Sequence, residues 1–258
     1  MDKIKVTAVS YLNTKPLLYG ILNSSIAGQI ELQLDIPSVC AQKLNSGEAD
    51  LGLIPVAAIP EIEHAEIITD YCIGANGKVK TVCIYGDCPI EEMEAIYLDY
   101  HSRTSVELTK LLLKDYWKLS PKLIPAPPGY ETKISKKTGG LIIGDRTIGL
   151  DSQYPFIYDL GELWQKHTGL SFVFAAWVSN RTLNPAFIRQ FNEAMKKGVA
   201  AIPQLIYLLP TQEFDLEAYF THNISYELDL QKRESLALFL NSISGDSLSE
   251  ATKKSLVC

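Results

Sequence analysis

KVTAVSYLNTKPLLYGIL, residues 5–22, sets the pattern that decides the fold: a short β-rich run passes through a polar turn into a helix. Alternation of this kind predicts an α/β protein, because each strand needs a helix to cover its apolar face. The same alternation continues in IELQLDI (30–36), SVCAQKLNSG (38–47), ADLGLIPV (49–56), AIYLDY (95–100), the helix 104–117 and GLIIG (140–144).

Two apolar strands, TVCIYG (81–86) and FVFAAWV (172–178), bracket the second half of this pattern. We interpret them as crossings between two lobes that enclose a central cleft. The sequence thus predicts a first lobe of residues 1–84 plus 178–258, and a second lobe of residues 85–177 inserted through two hinge crossings.

The composition limits the possible partners. The chain has 258 residues, 47% of them hydrophobic, and a formal net charge of −6. It contains no basic run, so neither nucleic acid nor an anionic membrane is expected as a partner. Any anion site must therefore be local, and the sequence makes no prediction of oligomeric state.

The five cysteines and the N-terminus indicate a cellular compartment. The cysteines are odd in number, form no C-x-x-C pair and lie mostly in apolar segments, as buried free thiols do. The start MDKIKVTAVSYLN resembles no signal peptide, and no apolar run is long enough for a membrane span. We expect a cytoplasmic protein.

Polar residues gather at four predicted strand ends. In open α/β sheets, ligands bind beyond the carboxyl ends of strands, where helices begin and expose free backbone N–H groups. The candidate residues are Ser10, Tyr11, Asn13, Thr14, Ser38, Ser102, Arg103, Thr104, Ser105, Gly144 and Asp145.

The segment DYHSRTSVELTKLLL, residues 99–113, is chemically the most informative of the four. Thr104 and Glu107 have the spacing of a capping box, which would be a purely structural role. Capping needs only one hydroxyl, however, whereas Ser102, Arg103, Thr104 and Ser105 together can receive a carboxylate or phosphate at a helix N-terminus. Both interpretations stay open on this segment alone.

Two other strand ends have structural alternatives as well. Thr14 can cap the helix that Pro16 helps to begin, which leaves Tyr11 and Asn13 unexplained. Asp145 can likewise cap a short helix after GLIIG.

Familiar catalytic signatures are missing from the sequence. The four histidines lack metal-binding spacing and are expected to be solvated: His64, His101, His167 and His222. There is no G-x-S-x-G, phosphate loop or G-x-G-x-x-G. The residues alone support a two-lobed protein that binds a small anion, without a metal.

AVSYLNTKPL (8–17), LDYHSRTSVELTKLLL (98–113), GLIIGDRTI (140–148) and YDLGELWQKHTGLSFVFAAWV (158–178) resemble segments of one family in the same order. NSGEADLGLIPVAAI (45–59) fits it as well. This family is the menaquinone-biosynthesis chorismate dehydratases of the futalosine route. The resemblance implies a type II periplasmic-binding-protein fold, which agrees with two lobes. A sister enzyme of that route, which makes dihydroxynaphthoate, has a Ser-Pro-Cys-Pro-Asn-Asp motif where this chain has Ser-Tyr-Leu-Asn.

The resemblance implies a carbon–oxygen lyase, a hydro-lyase that removes water from the dicarboxylate chorismate to give 3-[(1-carboxyvinyl)oxy]benzoate. Neither a metal nor an organic cofactor is required. Such an enzyme must hold two carboxylates, direct one ring C–H toward a base and help the hydroxyl to leave. No side chain stands out as that base, and the family suggests the enolpyruvyl carboxylate of the substrate.

The resemblance also assigns residues. Asn13 matches an asparagine implicated in catalysis, and Thr81 matches a position that is commonly serine. Ser102–Ser105 match the segment that receives a carboxylate. Tyr11, Ser38, Gly144 and Asp145 are expected to line the site, and Arg146 stands where smaller apolar residues are expected.

Three alternatives compete with the dehydratase. An exported solute-binding protein normally carries a signal sequence, and a transcription regulator needs a DNA-binding segment and usually a basic surface. The sister dihydroxynaphthoate synthase has a different opening motif. A dehydratase is favoured, followed by the sister enzyme and then by a non-catalytic binder of small carboxylates, since function depends on the site and not on a shared fold.

Overall fold

Strands and helices alternate through residues 3–210 and 214–244, the part of the chain that the computed structural model describes. The strands are β1 (Ile4–Val9), β2 (Ile30–Asp35), β3 (Leu51–Pro55), β4 (Glu66–Ala75), β5 (Val82–Gly86), β6 (Ala95–Leu98), β7 (Lys122–Pro125), β8 (Thr138–Ile143), β9 (Phe156–Asp159), β10 (Phe172–Ser179) and β11 (Ser225–Glu227). The helices are α1 (Lys15–Leu22), α2 (Pro37–Asn45), α3 (Thr104–Leu111), α4 (Leu160–Thr168), α5 (Pro185–Ala200), α6 (Ile202–Leu208), α7 (Leu216–Ala218) and α8 (Leu230–Ser244).

The strands form two mixed sheets of the same design. The first has the order β11-β4-β10-β3-β1-β2, and the second has the order β7-β6-β8-β5-β9. In the first, β1 is parallel to β2 and β3, and β10 runs antiparallel between β3 and β4. In the second, β6 is parallel to β7 and β8, and β5 runs antiparallel between β8 and β9. The predicted α/β class is confirmed.

The central strands are almost wholly apolar because both of their faces are covered. Every residue of β3, β5 and β10 is buried, as expected for strands with helices on both sides of the sheet. Helix α1 packs closely against α5. A Cβ added at Gly20 would lie 1.9 Å from the carbonyl oxygen of Ala194, so only glycine allows this approach.

Both expected lobe boundaries fall inside strands. The boundary at 84/85 cuts β5, which lies wholly in the second sheet, and the boundary at 177/178 cuts β10, which lies wholly in the first. The two segments are apolar because they are interior strands, rather than because they cross between lobes. The chain changes sheet in the segments 76–81 and 169–171.

The helix expected at 104–117 and the expected free thiols are both present, with differences in detail. The predicted helix 104–117 begins as α3 and continues as a π-helical segment, Leu112–Trp117. Cys40, Cys72 and Cys83 are buried free thiols and Cys88 is partly buried, while Cys258 lies outside the described residues. No helix in the described residues has the length and apolar character needed to cross a membrane.

Candidate active site

A cavity lies between the two sheets. Strand ends from both sheets line it. Val9 and Pro55 end β1 and β3 of the first sheet, and Ile143 ends β8 of the second. Among its described lining residues only the Tyr11 phenol is ionisable, and none carries a charge. The lining consists of Val9, Tyr11, Asn13, Pro37, Pro55, Ile73, Val79, Thr81, Val82, Ser102, Thr104, Ser105, Ile143, Gly144, Phe174 and Ala175.

Asn13 lies on the 3-10 turn Leu12–Thr14, between β1 and α1. The Thr14 hydroxyl donates to its side-chain Oδ1 at 3.2 Å, and the Tyr226 hydroxyl donates to its backbone carbonyl at 2.8 Å. Thr14 makes no side-chain cap for α1. The expected capping role is therefore wrong, and the Thr14 hydroxyl orients the Asn13 amide instead.

Thr81 precedes β5 and is buried. Its Oγ1 lies 2.9 Å from the hydroxyl of Tyr219 and 3.5 Å from the carbonyl oxygen of Val79. Burial raises the pKa of Tyr219, and contacts with the side chains of Thr81 and Asn13 oppose that rise. We refer to Asn13, Thr81 and Tyr219 as the uncharged cluster.

Tyr11 covers one side of the cavity. Its hydroxyl lies 2.5 Å from Nδ1 of His101, and its ring lies over Gly144. A Cβ at Gly144 would come 2.5 Å from that ring, and φ is +67° there, so this position requires glycine. Burial and the charge of Arg146 lower the pKa of His101, which disfavours the protonated ring.

Asp145 links the two halves of the cavity wall and does not itself line it. Both carboxylate oxygens accept the backbone N–H of Leu12, at 3.0 and 3.1 Å. The 3-10 turn Gly144–Thr147 has no side-chain cap, so the alternative role of Asp145 as a cap is wrong. Burial raises the pKa of Asp145, and the bond from Leu12 opposes this.

The N-terminus of α3 brings three hydroxyls to the cavity. Ser102 accepts the backbone N–H of Ser105 at 3.0 Å. Thr104 accepts the N–H of Ala57 at 3.2 Å and donates to the carbonyl of Phe174 at 3.0 Å. The capping-box interpretation of Thr104 is therefore wrong, because this hydroxyl fastens α3 to the first sheet.

Arg103 and Ser38 do not line the cavity. The Arg103 guanidinium contacts both carboxylate oxygens of Glu61, at 2.7 and 2.8 Å, in a separate surface groove. Ser38 donates its backbone N–H to the carbonyl of His101 at 3.1 Å, and its neighbour Pro37 lines the cavity instead. Successive residues at a helix start point in different directions, which separates Arg103 from its neighbours Ser102 and Thr104.

A charged group of side chains lies behind Tyr11. The buried Asp99 carboxylate accepts the backbone N–H groups of His101 and Ile143, each at 2.9 Å, and pairs with Arg146. Arg146 also pairs with Glu131 at 2.6 Å. We refer to Asp99, Glu131 and Arg146 as the ionic cluster, which ties the segment after β6 to the end of β8.

Sequence reasoning missed several of these residues. His101 is half-buried and bonded to Tyr11, so the expectation that it is solvated is wrong. Asp99 follows β6 directly, and that position was a usable signal. Tyr219 and Tyr226 lie far along the chain from Thr81 and Asn13, and nothing in the local sequence indicates their contacts. No group of three or more His, Cys, Asp or Glu side chains in the described residues could hold a metal ion.

Solved structures similar to this chain share its fold. A protein of Archaeoglobus fulgidus has a TM-score of 0.68 at 16% identity, covering 94% of this chain and 96% of that one. A Candida albicans protein, described as having the generic periplasmic binding protein fold, has a TM-score of 0.59 at 12% identity, covering 99% and 94%. The alkanesulfonate-binding protein of Xanthomonas axonopodis pv. citri has a TM-score of 0.63 at 11% identity, covering 96% of each chain. The predicted periplasmic-binding-protein fold is confirmed.

Sequence comparison identifies the family. A chorismate dehydratase of Thermus thermophilus is 28% identical over 198 residues, which is 66% of this chain and 69% of that protein. The family model for menaquinone biosynthesis matches residues 4–244, which includes both sheets and the whole cavity. The chain therefore belongs to the menaquinone-biosynthesis family.

Proposed function

We propose that this protein is a chorismate dehydratase, a hydro-lyase that converts chorismate into 3-[(1-carboxyvinyl)oxy]benzoate and water on the futalosine route. The family and the similarity to the Thermus thermophilus enzyme support this proposal. The reaction breaks one ring C–H bond and the neighbouring C–OH bond. The electron pair of the C–H bond completes the aromatic ring, and the proton and hydroxide leave as water.

The observation that carries the proposal is a cavity between the two sheets that is lined by uncharged hydrogen-bonding groups. Asn13 and Thr81 line it, and so do Ser102 and Ser105 at the N-terminus of α3. A departing hydroxyl needs oriented donors, which act strongly where water is excluded. A carboxylate needs donors and a positive potential, which a helix N-terminus supplies.

We assign roles on this basis. Asn13 and Thr81 face the reacting ring and stabilise the departing hydroxyl. Ser102, Ser105 and the backbone of α3 receive a substrate carboxylate, while Tyr11 closes the cavity over Gly144. This assignment gives that carboxylate neutral donors, and it keeps its charge through hydrogen bonds with them.

The described lining offers no carboxylate or imidazole to act as a base. This favours the enolpyruvyl carboxylate of the substrate as the group that takes the ring proton. The protein then contributes by holding that carboxylate against the ring, an effect of orientation that can be very large.

Closure of two lobes around the substrate is part of the same proposal. The contact of Asp145 with Leu12 and the contact of Tyr11 with Gly144 join segments that follow strands of different sheets. Such contacts can form after the substrate binds and exclude water from the elimination.

A cytoplasmic location fits the free thiols of Cys40, Cys72 and Cys83.

The test is to mix purified protein with chorismate and to follow the diene absorbance and the mass of the product. We expect the absorbance to fall and a product to form that is lighter by one water molecule. Binding of chorismate with no change in mass would indicate a carboxylate-binding protein instead. No binding and no conversion would favour the sister enzyme, and either result would overturn the proposal.

A further inference from the structure

Tyr219 lies behind the cavity wall and contacts both residues to which we assign the departing hydroxyl. It begins a π-helical segment, Tyr219–Asn223, directly after α7. Its side chain is fully buried, and its hydroxyl lies 2.9 Å from Thr81 Oγ1. The side chain of Asn13 also approaches the same phenol.

The hydrogen bonds around Tyr219 have a direction. The Thr14 hydroxyl donates to Asn13 Oδ1, so the amide NH2 remains for the phenol and the cavity. A buried phenol must place its own proton on an acceptor, and Thr81 Oγ1 is at the right distance.

This arrangement leaves the Thr81 hydroxyl proton free to turn. Its protein acceptor is the carbonyl of Val79 at 3.5 Å, which is at the outer limit for a hydrogen bond. A substrate hydroxyl in the cavity can offer a shorter bond. Hydrogen bonds in a chain also polarise one another, so a donation from Tyr219 makes Thr81 a better donor.

We infer that Tyr219 is a positioning residue for the elimination: its phenol donates to Thr81 Oγ1 and so directs the Thr81 proton at the departing hydroxyl. The inference rests on the proposed function. It accounts for a threonine at this position, because the phenol fixes the hydroxyl while the added methyl can pack against the apolar part of the wall. Tyr219 itself is not part of the cavity lining and acts through Thr81.

The experiment compares Tyr219→Phe with the wild-type protein on chorismate. We expect kcat to fall about 10- to 100-fold, as for loss of one oriented hydrogen bond in the transition state, with KM within about twofold. A purely structural tyrosine would lower the melting temperature without this separation of kcat from KM. Tyr158→Phe is the control. Tyr158 lies on β9, outside the cavity lining, and its hydroxyl accepts the N–H of Ile90 at 2.8 Å.

A double-mutant cycle tests the route of the effect. If Tyr219 acts through Thr81, then Tyr219→Phe combined with Thr81→Val should be little slower than Thr81→Val alone. Fully additive losses, or an unchanged kcat in Tyr219→Phe, would overturn the inference. Should Tyr219→Phe fail to fold, Thr81→Val is compared with Thr81→Ser, and equal activity of these two would overturn it as well.

The same series separates the inference from the function on which it rests. Absence of turnover in the wild-type protein would overturn the proposed function. Turnover in the wild type that persists unchanged in Tyr219→Phe would overturn the inference and leave the function standing.

Discussion

Two polar clusters lie close to the cavity, and they differ in charge. The uncharged cluster of Asn13, Thr81 and Tyr219 faces or adjoins the cavity. The ionic cluster, with the Asp99–Arg146 pair at its centre, lies behind Tyr11 and contacts backbone N–H groups. The protein thus places full charges where they hold the chain, and dipoles where we expect bonds to break.

The difference has a physical reason. A buried carboxylate is stable only when it is paired and hydrogen-bonded, and Asp99 meets both conditions with Arg146 and two N–H groups. A guanidinium in the cavity wall would bind the dianionic substrate and the dianionic product equally tightly. Neutral donors aimed at the departing hydroxyl can instead bind it more strongly in the transition state than in the ground state.

The largest expected effect breaks the ionic cluster. Asp99→Ala leaves Arg146 with an unpaired side and two N–H groups without their acceptor, and we expect a loss of about 3 to 5 kcal/mol in the free energy of unfolding. Glu94→Ala is the control, because it removes an exposed ion pair with Lys137 and should cost less than about 1 kcal/mol. Denaturant unfolding measures both, and equal stabilities for the two variants would contradict the central place of Asp99.

A second prediction concerns the uncharged cluster. Thr81→Val removes the hydroxyl but keeps the shape, so turnover should fall about 10- to 100-fold with little change in stability beyond about 1 to 2 kcal/mol. Thr81→Ser keeps the hydroxyl and should retain most of the activity. Steady-state kinetics and thermal melting measure the two effects. Full activity in Thr81→Val would remove Thr81 from the chemistry.

A third prediction concerns pH and His101. Burial and Arg146 lower the pKa of His101 below the ordinary value of 6.5, so the unfolded chain binds the proton more readily. Stability from this group is therefore present above about pH 6.5 and is lost as the pH falls through the lower, folded-state pKa. The acid side of the melting profile should be shallower in His101→Gln than in the wild type, and identical slopes would contradict the buried, neutral ring.

The smallest expected effect is that of Arg103→Ala. The sequence suggested a carboxylate receptor, but the guanidinium pairs with Glu61 at a partly exposed surface. Exposed pairs contribute about 0 to 1 kcal/mol, so stability and KM should change little. A KM increase of about tenfold or more would place Arg103 on the substrate path after all.

Much of the fold could be predicted from local patterns. The alternation of strands with helices indicated the α/β class, and the polar ends of β1, β6 and β8 indicated residues that the structure brings to one cavity. This worked because strand ends meet at one edge of a sheet wherever neighbouring strands are parallel. The apolar segments β5 and β10 misled because a buried strand and a lobe crossing can have the same composition.

The contacts behind the wall could not be predicted in this way. Tyr219 is 138 residues from Thr81 along the chain, and Tyr226 is 213 residues from Asn13. Their roles depend on how the segment after α7 packs, which no local periodicity encodes. Short-range capping rules also misplaced Thr104 and Asp145, because tertiary partners took their side chains instead.

The most direct test of the account compares the wild type with Asn13→Ala and Asn13→Asp on chorismate, with binding and product mass measured together. The wild type should form a product lighter by one water molecule. Both variants should melt near the wild-type temperature and react about 100-fold or more slowly, the loss expected for one oriented donor. Asn13→Asp should also bind chorismate more weakly than Asn13→Ala, because its carboxylate repels a dianion. Variants that melt many degrees lower yet keep most of their turnover would show Asn13 to be a turn residue and would contradict the account.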